Sequence, residues 1–206
     1  MKKYEFTGET KRVELWNRTA TLHRIKATVE FGFVKVGELG GWIEKEENLS
    51  HEGKAWVCDD AEVCDDAKVW GNAKVCGDAK VCGDAEVWGN AKVCGDAEVW
   101  GNAKVWGNAE VCGDAKVCGD AKVCGDAEVF LASHVLVMGS VGSRNDFTTF
   151  FRDKDNEITV KCGCFLGKID KFLEKVTQTH GNNKYALVYR AAVEVAKLQI
   201  ELTERK

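Results

Sequence analysis

Residues 67–108 read AKVWGNAKVCGDAKVCGDAEVWGNAKVCGDAEVWGNAKVWGN, one six-residue phrase, A-[KE]-V-[CW]-G-[DN], repeated without a gap. The phrase runs from Ala55 to Val135, with valine at every sixth position from Val57 to Val135 and a looser continuation through Val141 and Phe147. Helical arrays and propellers repeat every 20 to 50 residues, whereas a six-residue period is that of a parallel β-helix. Each hexad supplies one short strand and one corner, so three hexads make one triangular coil. Residues two apart on a strand share a face. Valine and the alanine two places before it therefore point inward, and the charged and Cys/Trp slots beside valine point outward. Gly followed by Asp or Asn supplies a corner with positive φ. Burying each valine is worth roughly 1.5–3 kcal/mol, and the register through Phe147 predicts sixteen such rungs.

Folding the repeat at three hexads per coil sorts the outward slots into three columns. The first holds Cys58, Cys76, Cys94 and Cys112 and ends at Phe130. The second holds Cys64, Cys82, Trp100, Cys118 and Leu136, and the third Trp70, Trp88, Trp106 and Cys124. Rungs about 4.8 Å apart make these continuous ladders. The charged slot of the second face alternates Glu62, Lys80, Glu98, Lys116, an opposite-sign pairing that supports the same coil length. Asn72, Asn90 and Asn108 predict an amide ladder along one corner, and Asp60, Asp78, Asp96 and Asp114 read as corner residues chosen for backbone tolerance.

The flanks are not repetitive. Residues 1–54 predict an N-terminal cap, with strands at Tyr4–Phe6 and Leu22–Val29 and an apolar plug at Trp42 and Ile43, because exposed strand edges at a solenoid end invite aggregation. Residues 55–147 form the β-helix, and residues 148–206 a C-terminal cap. In that cap Phe147–Phe151 and Ile158–Cys164 flank the polar turn Arg152–Asn156 as a hairpin. Ile169, Phe172, Leu173 and Val176 share one face of a helix over Lys168–Gln178, and a second, broader apolar helix runs from Lys184 to about Glu204.

Composition narrows the function. The chain has 206 residues, a net charge of -4, no proline and 21 glycines. The balance of acids and bases gives no basic footprint for nucleic acid. MKKYEFTGETK has no apolar core of a signal peptide, and no run approaches a membrane span. Ten cysteines without a secretory signal predict free thiols in a reducing cytoplasm.

The repeat resembles the hexapeptide-repeat left-handed β-helix, the fold of many acyltransferases. The opening segment VKVGELGGWIEKEENLSHEGKAWV and the tail GSRNDFTTFFRDKDNEITVKCGCFLGKIDKFLEKVTQTHGNNKYA are similar to segments of bacterial and phage or prophage proteins of that kind. The left hand is implied by this resemblance. It also implies one enzymatic reading, acyl transfer from an acyl-CoA with a histidine as general base. His134 and His180 are the candidates for that base, but the repeat carries no inserted loop to build an acceptor pocket, and His134 falls in a charged slot that predicts a solvated rung.

The column Cys58, Cys76, Cys94 and Cys112 holds the candidate soft-metal ligands, yet its spacing lacks the convergence of a structural zinc site, so cysteine reads as a small apolar filler. Contiguous apolar columns on outward faces mark interaction surfaces. Trp70, Trp88, Trp106 and Trp100 are therefore the predicted interface, and Arg144, Asn145 and Asp146, at the broken end of the solenoid, the polar cluster for a ligand. The leading expectation is a cytoplasmic, non-catalytic scaffold or binding module of phage or prophage type. It self-associates as a dimer or trimer, needs no cofactor, and takes a host protein or small nucleotide-like ligand as partner.

Overall fold

The computed structural model describes residues 2–15 and 17–202 and is a β-solenoid closed at both ends. Three N-terminal strands, β1 (Tyr4–Glu14), β2 (Thr19–Ala27) and β3 (Leu39–Ile43), precede thirteen two-residue strands, β4 (Trp56–Val57) to β16 (Glu128–Val129). These stack into three parallel sheets, each strand pairing with strands three hexads away, as Val75 with Val93 and Val99 with Val117. The repeat valines and alanines form one buried column from Ala55 to Val129. Backbone N–H groups of alternate residues donate to the coil below: Asn72 N to Gly89 O at 2.7 Å, Lys74 N to Ala91 O at 2.9 Å, and Cys76 N to Val93 O at 2.9 Å.

The expected rungs at Val135, Val141 and Phe147 do not form. Leu131 stands where the corner glycine belongs and keeps an extended φ of -134°, so the chain leaves the coil through a 3-10 turn, Ala132–His134. It then enters a four-stranded antiparallel sheet, β17 (Val135–Val141), β18 (Asp146–Arg152), β19 (Ile158–Cys162) and β20 (Phe165–Lys168). The predicted hairpin is its central pair, with Phe151 opposite Thr159. Neighbouring residues of β18 serve two cores: Phe151 packs into the solenoid interior and Phe150 against the helices. These are α1 (Ile169–His180) and α2 (Lys184–Gln199). In α1 the predicted face is realised, with Ile169, Phe172 and Val176 buried and Leu173 partly so. Helix α2 starts where the Asn183 side chain accepts the N–H groups of Tyr185 and Ala186, and it ends at Gln199; the predicted end at Glu204 lies outside the described residues.

At the other end, β1 and β2 form a long antiparallel hairpin, and β3 joins the parallel stack beside β5 (Glu62–Val63), with Ile43 opposite Val63. β1 runs on from the expected Tyr4–Phe6 to Glu14, while β2 starts before the expected Leu22 and stops short of Val29, because the two strands pair with each other from Tyr4 opposite Ala27 to Glu14 opposite Thr19. Ile43 is buried as predicted, while Trp42 is half-buried with cations over its ring, Lys11 at 4.7 Å and Arg24 at 5.1 Å. Lys3 is also buried, its Nζ donating to Ala55 O at 2.7 Å, and burial pushes its ammonium down to about 8. No helix is long and apolar enough to cross a membrane among the described residues.

The corners yield one prediction. Gly89 has φ +72°, and a Cβ there would sit 3.0 Å from the Gly107 nitrogen, while Gly119, at φ +64°, meets nothing within 4 Å. Gly89→Ala is expected to cost about 1–3 kcal/mol in urea unfolding, and more than Gly119→Ala. The buried Lys3 yields a second. Its folded pKa lies below the ordinary value of about 10.4, so between these values the unfolded state binds more protons and stability rises with pH. The unfolding free energy of the wild type should therefore rise relative to Lys3→Met from about pH 8 to about pH 10, with other titrations cancelling in the difference.

Candidate functional site

The three outward columns differ in what covers them. On the second face the β1–β2 hairpin lies over the first thiols: Ala20, Leu22 and Cys64 form a small core with Val13, Leu15, Trp42 and Cys82 around it. The Cys64 and Cys82 sulfurs are 2.8 Å apart and unbridged, and that contact together with burial raises the Cys64 thiol well above its ordinary value. Farther down the column Trp100 is 37% exposed. Arg18 locks the hairpin down: its guanidinium bonds Glu44 at 2.6 and 2.7 Å and also Asp65, and the Arg18 bond holds Glu44 below the usual carboxylate range.

The first face corrects the expectation of free thiols. Cys58 is bonded to Cys76 and Cys94 to Cys112, each pair joining consecutive coils with Cα atoms 4.7 and 4.5 Å apart. The ladder spacing of about 4.8 Å falls within the range of Cα separations that a disulfide spans, so equal slots on successive coils are a ready disulfide geometry. The three-hexad period thus carries the signal for pairing that a search for metal-ligand spacing passes over. Asp59 lies with Cys58 and Cys76 in a group whose donor atoms fall within 4.8 Å of one another, but the two sulfurs are committed to each other. At the foot of the column the Arg152 guanidinium stands 5.2 Å from the Phe130 ring.

The third face carries the tryptophans as predicted. Trp70 stacks on Trp88 with centroids 5.0 Å apart and Trp88 on Trp106 at 4.9 Å, with rings within 4° of parallel. All three are half-buried. Beside them runs the predicted amide ladder, Asn72 to Asn90 and Asn90 to Asn108 at 3.1 Å, continued by Asn108 to Asp126 at 3.1 Å. A cross-coil ion pair, Lys104–Glu86 at 3.1 Å, lies on the other side. The terminal Cys124 is 1% exposed, and burial pushes its thiol up to about 11. A fourth apolar surface lies outside the solenoid. Helix α2 turns one face into the C-terminal core and leaves Leu187, Val188, Val195 and Leu198 exposed, Leu198 at 88%.

The histidines and the polar cluster are held in turns. His134 is buried rather than solvated: in the 3-10 turn its Nδ1 accepts the Phe130 N–H at 3.2 Å, and burial lowers its pKa. Arg144 and Asn145 lie in the β17–β18 turn, with the Arg144 guanidinium over Gly163 and Asn145 at φ +49°. Asp146 opens β18 and accepts the neighbouring Phe147 N–H at 2.7 Å. His180, at the end of α1, reaches the same turn, with Nε2 3.3 Å from Ser143 Oγ and its ring stacked on Tyr189 at 5.8 Å. Thus the structure brings His180 beside the Arg144–Asp146 turn and leaves His134 in a separate corner.

Sequence reasoning missed a cavity of about 400 Å³ between the first face and the loop joining β2 to β3, lined among others by Phe33, Val34, Lys54, Trp56 and Lys74. The signal was a pair of phenylalanines around Gly32, which alternation does not separate from an ordinary turn. No protein-family model matches the chain, and no curated protein matches it.

The bridges can be counted. Alkylation of the unfolded, unreduced protein should label six cysteines by intact mass, and reduction should raise this to all ten. Labelling of ten without reduction would remove both bridges.

Proposed function

We propose that the protein is a non-catalytic, self-associating scaffold or binding module of the hexapeptide-repeat kind its sequence resembles. The observation that supports this reading is the apolar surface left open after the chain has capped both of its own ends. One such surface is the Trp70–Trp88–Trp106 ladder, and the other is the outer stripe of α2, where Leu187, Ala191, Val195 and Leu198 follow each other at helical spacing.

The ladder has the layout of a contact between copies. Aromatic anchors occupy its centre, and amides and charged side chains flank it as a polar rim. Its indoles are held in place before contact, because each ring is stacked on its neighbours and each backbone is tied to the adjacent coil. Little side-chain freedom then remains to be lost on association. A flat face repeated at a fixed spacing is also self-complementary about a two-fold axis, the commonest arrangement in homo-oligomers.

Two substitutions test the reading by light scattering, with circular dichroism as the control for folding. Trp88→Ser should lower the oligomeric mass if the ladder is the contact, and Leu198→Glu should do so if the α2 stripe is. A wild-type protein of monomer mass, or a mass unchanged by both substitutions, overturns self-association through these surfaces.

A further inference from the structure

The loop between β2 and β3 doubles back over the first face as a tight turn. Phe31 N donates to Val34 O at 3.1 Å and Val34 N to Phe31 O at 2.9 Å, with Gly32 at φ +57°. The Lys54 side chain runs directly beneath, 3.7 Å from where a Cβ on Gly32 would be. The turn thrusts Phe33 outward, 86% exposed, with the Lys74 ammonium 4.5 Å from its ring. Behind it lies the cavity of about 400 Å³, within the usual size of a small-molecule site. Phe33, Val34 and Trp56 wall it, and the Cys58–Cys76 bridge borders it.

Three features of this cavity are unmatched within the chain. Trp56 is 3% exposed, and its indole Nε1 is a buried donor with no acceptor among the described residues. Buried N–H groups without partners are rare, and each calls for an acceptor. Lys54 and Lys74 make no ion pair among the described residues, whereas Lys92, Lys104 and Lys116 on the lower coils each reach a glutamate across the rungs; Lys68, Lys80 and Lys122 are also unpaired there, but of these five only Lys54 and Lys74 border the cavity. The reason is visible in the ladder: Lys74 has Trp56 above it and Lys92 below, and Lys92 is taken by Glu110 at 2.6 Å. The acid lining the cavity, Glu38, accepts the Lys35 N–H at 3.0 Å.

We propose that this cavity binds a small organic anion with a flat apolar body, a planar carboxylate or phosphate. The ring of such a ligand lies against Phe33 and Trp56. Its anionic group meets Lys54 and Lys74, with the Trp56 ring beside it. The whole site lies in one chain on the first face and meets the tryptophan ladder only at the Asn72 corner, so its ring and lysine contacts do not need self-association.

Calorimetry on the full chain tests the site with three probes of one shape: naphthoate, naphthyl phosphate and the neutral naphthalenemethanol. At least one of the two anions should bind about tenfold or more tightly than the alcohol, and its affinity should fall about tenfold or more in the double variant Lys54→Ala/Lys74→Ala. Which anion binds more tightly tells a carboxylate ligand from a phosphate one. Phe33→Ala, a change at an exposed ring that leaves the fold intact, should weaken both. In an amide-correlation spectrum one indole N–H should shift on binding, and that signal should be missing in Trp56→Phe. Trp88→Ser should bind as the wild type does. No binding of either anion, equal binding of anions and alcohol, or anion affinity unchanged in the double lysine variant would overturn the proposal.

Discussion

The structure depends on one repeated constraint: each coil's backbone donates into the coil below with a constant offset from donor to acceptor, one position short of three hexads, as Lys74 N to Ala91 O and Cys76 N to Val93 O. A constant offset requires every coil to have the same perimeter. The same perimeter requires the same inward side chains, hence Val and Ala at 0–1% exposure on every rung. It also requires the same corner, a glycine near φ +70° packed against the glycine one coil on. A larger inward residue would push one rung outward and stretch the ladder on both sides of it, and the interior is too tightly filled to absorb the change.

Because the inside is held constant, variation is confined to the outside, and there the ladder turns single residues into columns. A cysteine repeated in equal slots of successive coils becomes a disulfide pair on the first face and a close unbridged thiol contact on the second, a tryptophan becomes a stack, an asparagine an amide chain. None of these contacts needs a special local conformation. Each follows from two identical side chains placed one strand spacing apart, which is why the first face holds bridges and the third face holds stacked rings on the same backbone. The opposite is true for lysine: Lys74 and Lys92 in succession repel, and only one of them finds Glu110.

These differences decide what was readable. The inward valines, the corner glycines, the three sheets and the amide ladder follow from periodicity alone and stand in the structure as the repeat implies. The helix face of Ile169, Phe172 and Val176 was equally legible, because its period is local. Where the solenoid stops was not, since Val135 and Val141 keep the register while Leu131 has removed the corner that the register needs. The disulfides are present in the sequence as a spacing, but metal-ligand motifs and compartment both point away from them, and only the strand separation points to them. The cavity under Phe33 was illegible for a different reason. It is made by a loop folding onto a face distant in sequence, with Phe33 over Lys74, and no period connects the two.

The ends show what replaces the repeat when its symmetry runs out. In the first coil the corner slots are Asp59 and Asp65 rather than glycine, both at φ +55°. Each carboxylate accepts a backbone N–H from the next coil, Asp59 from Gly77 at 3.0 Å and Asp65 from Gly83 at 3.1 Å. A side chain thus offsets the conformational cost that glycine avoids, which aspartate does more readily than other residues in the left-handed region. Asp65 then does something glycine is unable to do, since it also binds Arg18 and so ties the N-terminal hairpin to the coil. The far end uses the same chemistry in reverse: the last corner, Asp126, and the last charged slot, Glu128, are engaged by Lys154 at 2.7 Å and Arg152 at 3.3 Å from the C-terminal sheet. Corners and charged slots are interchangeable within the stack, where their neighbours are copies of themselves. At the two ends their neighbours are unique, and there the same slots hold the caps in place.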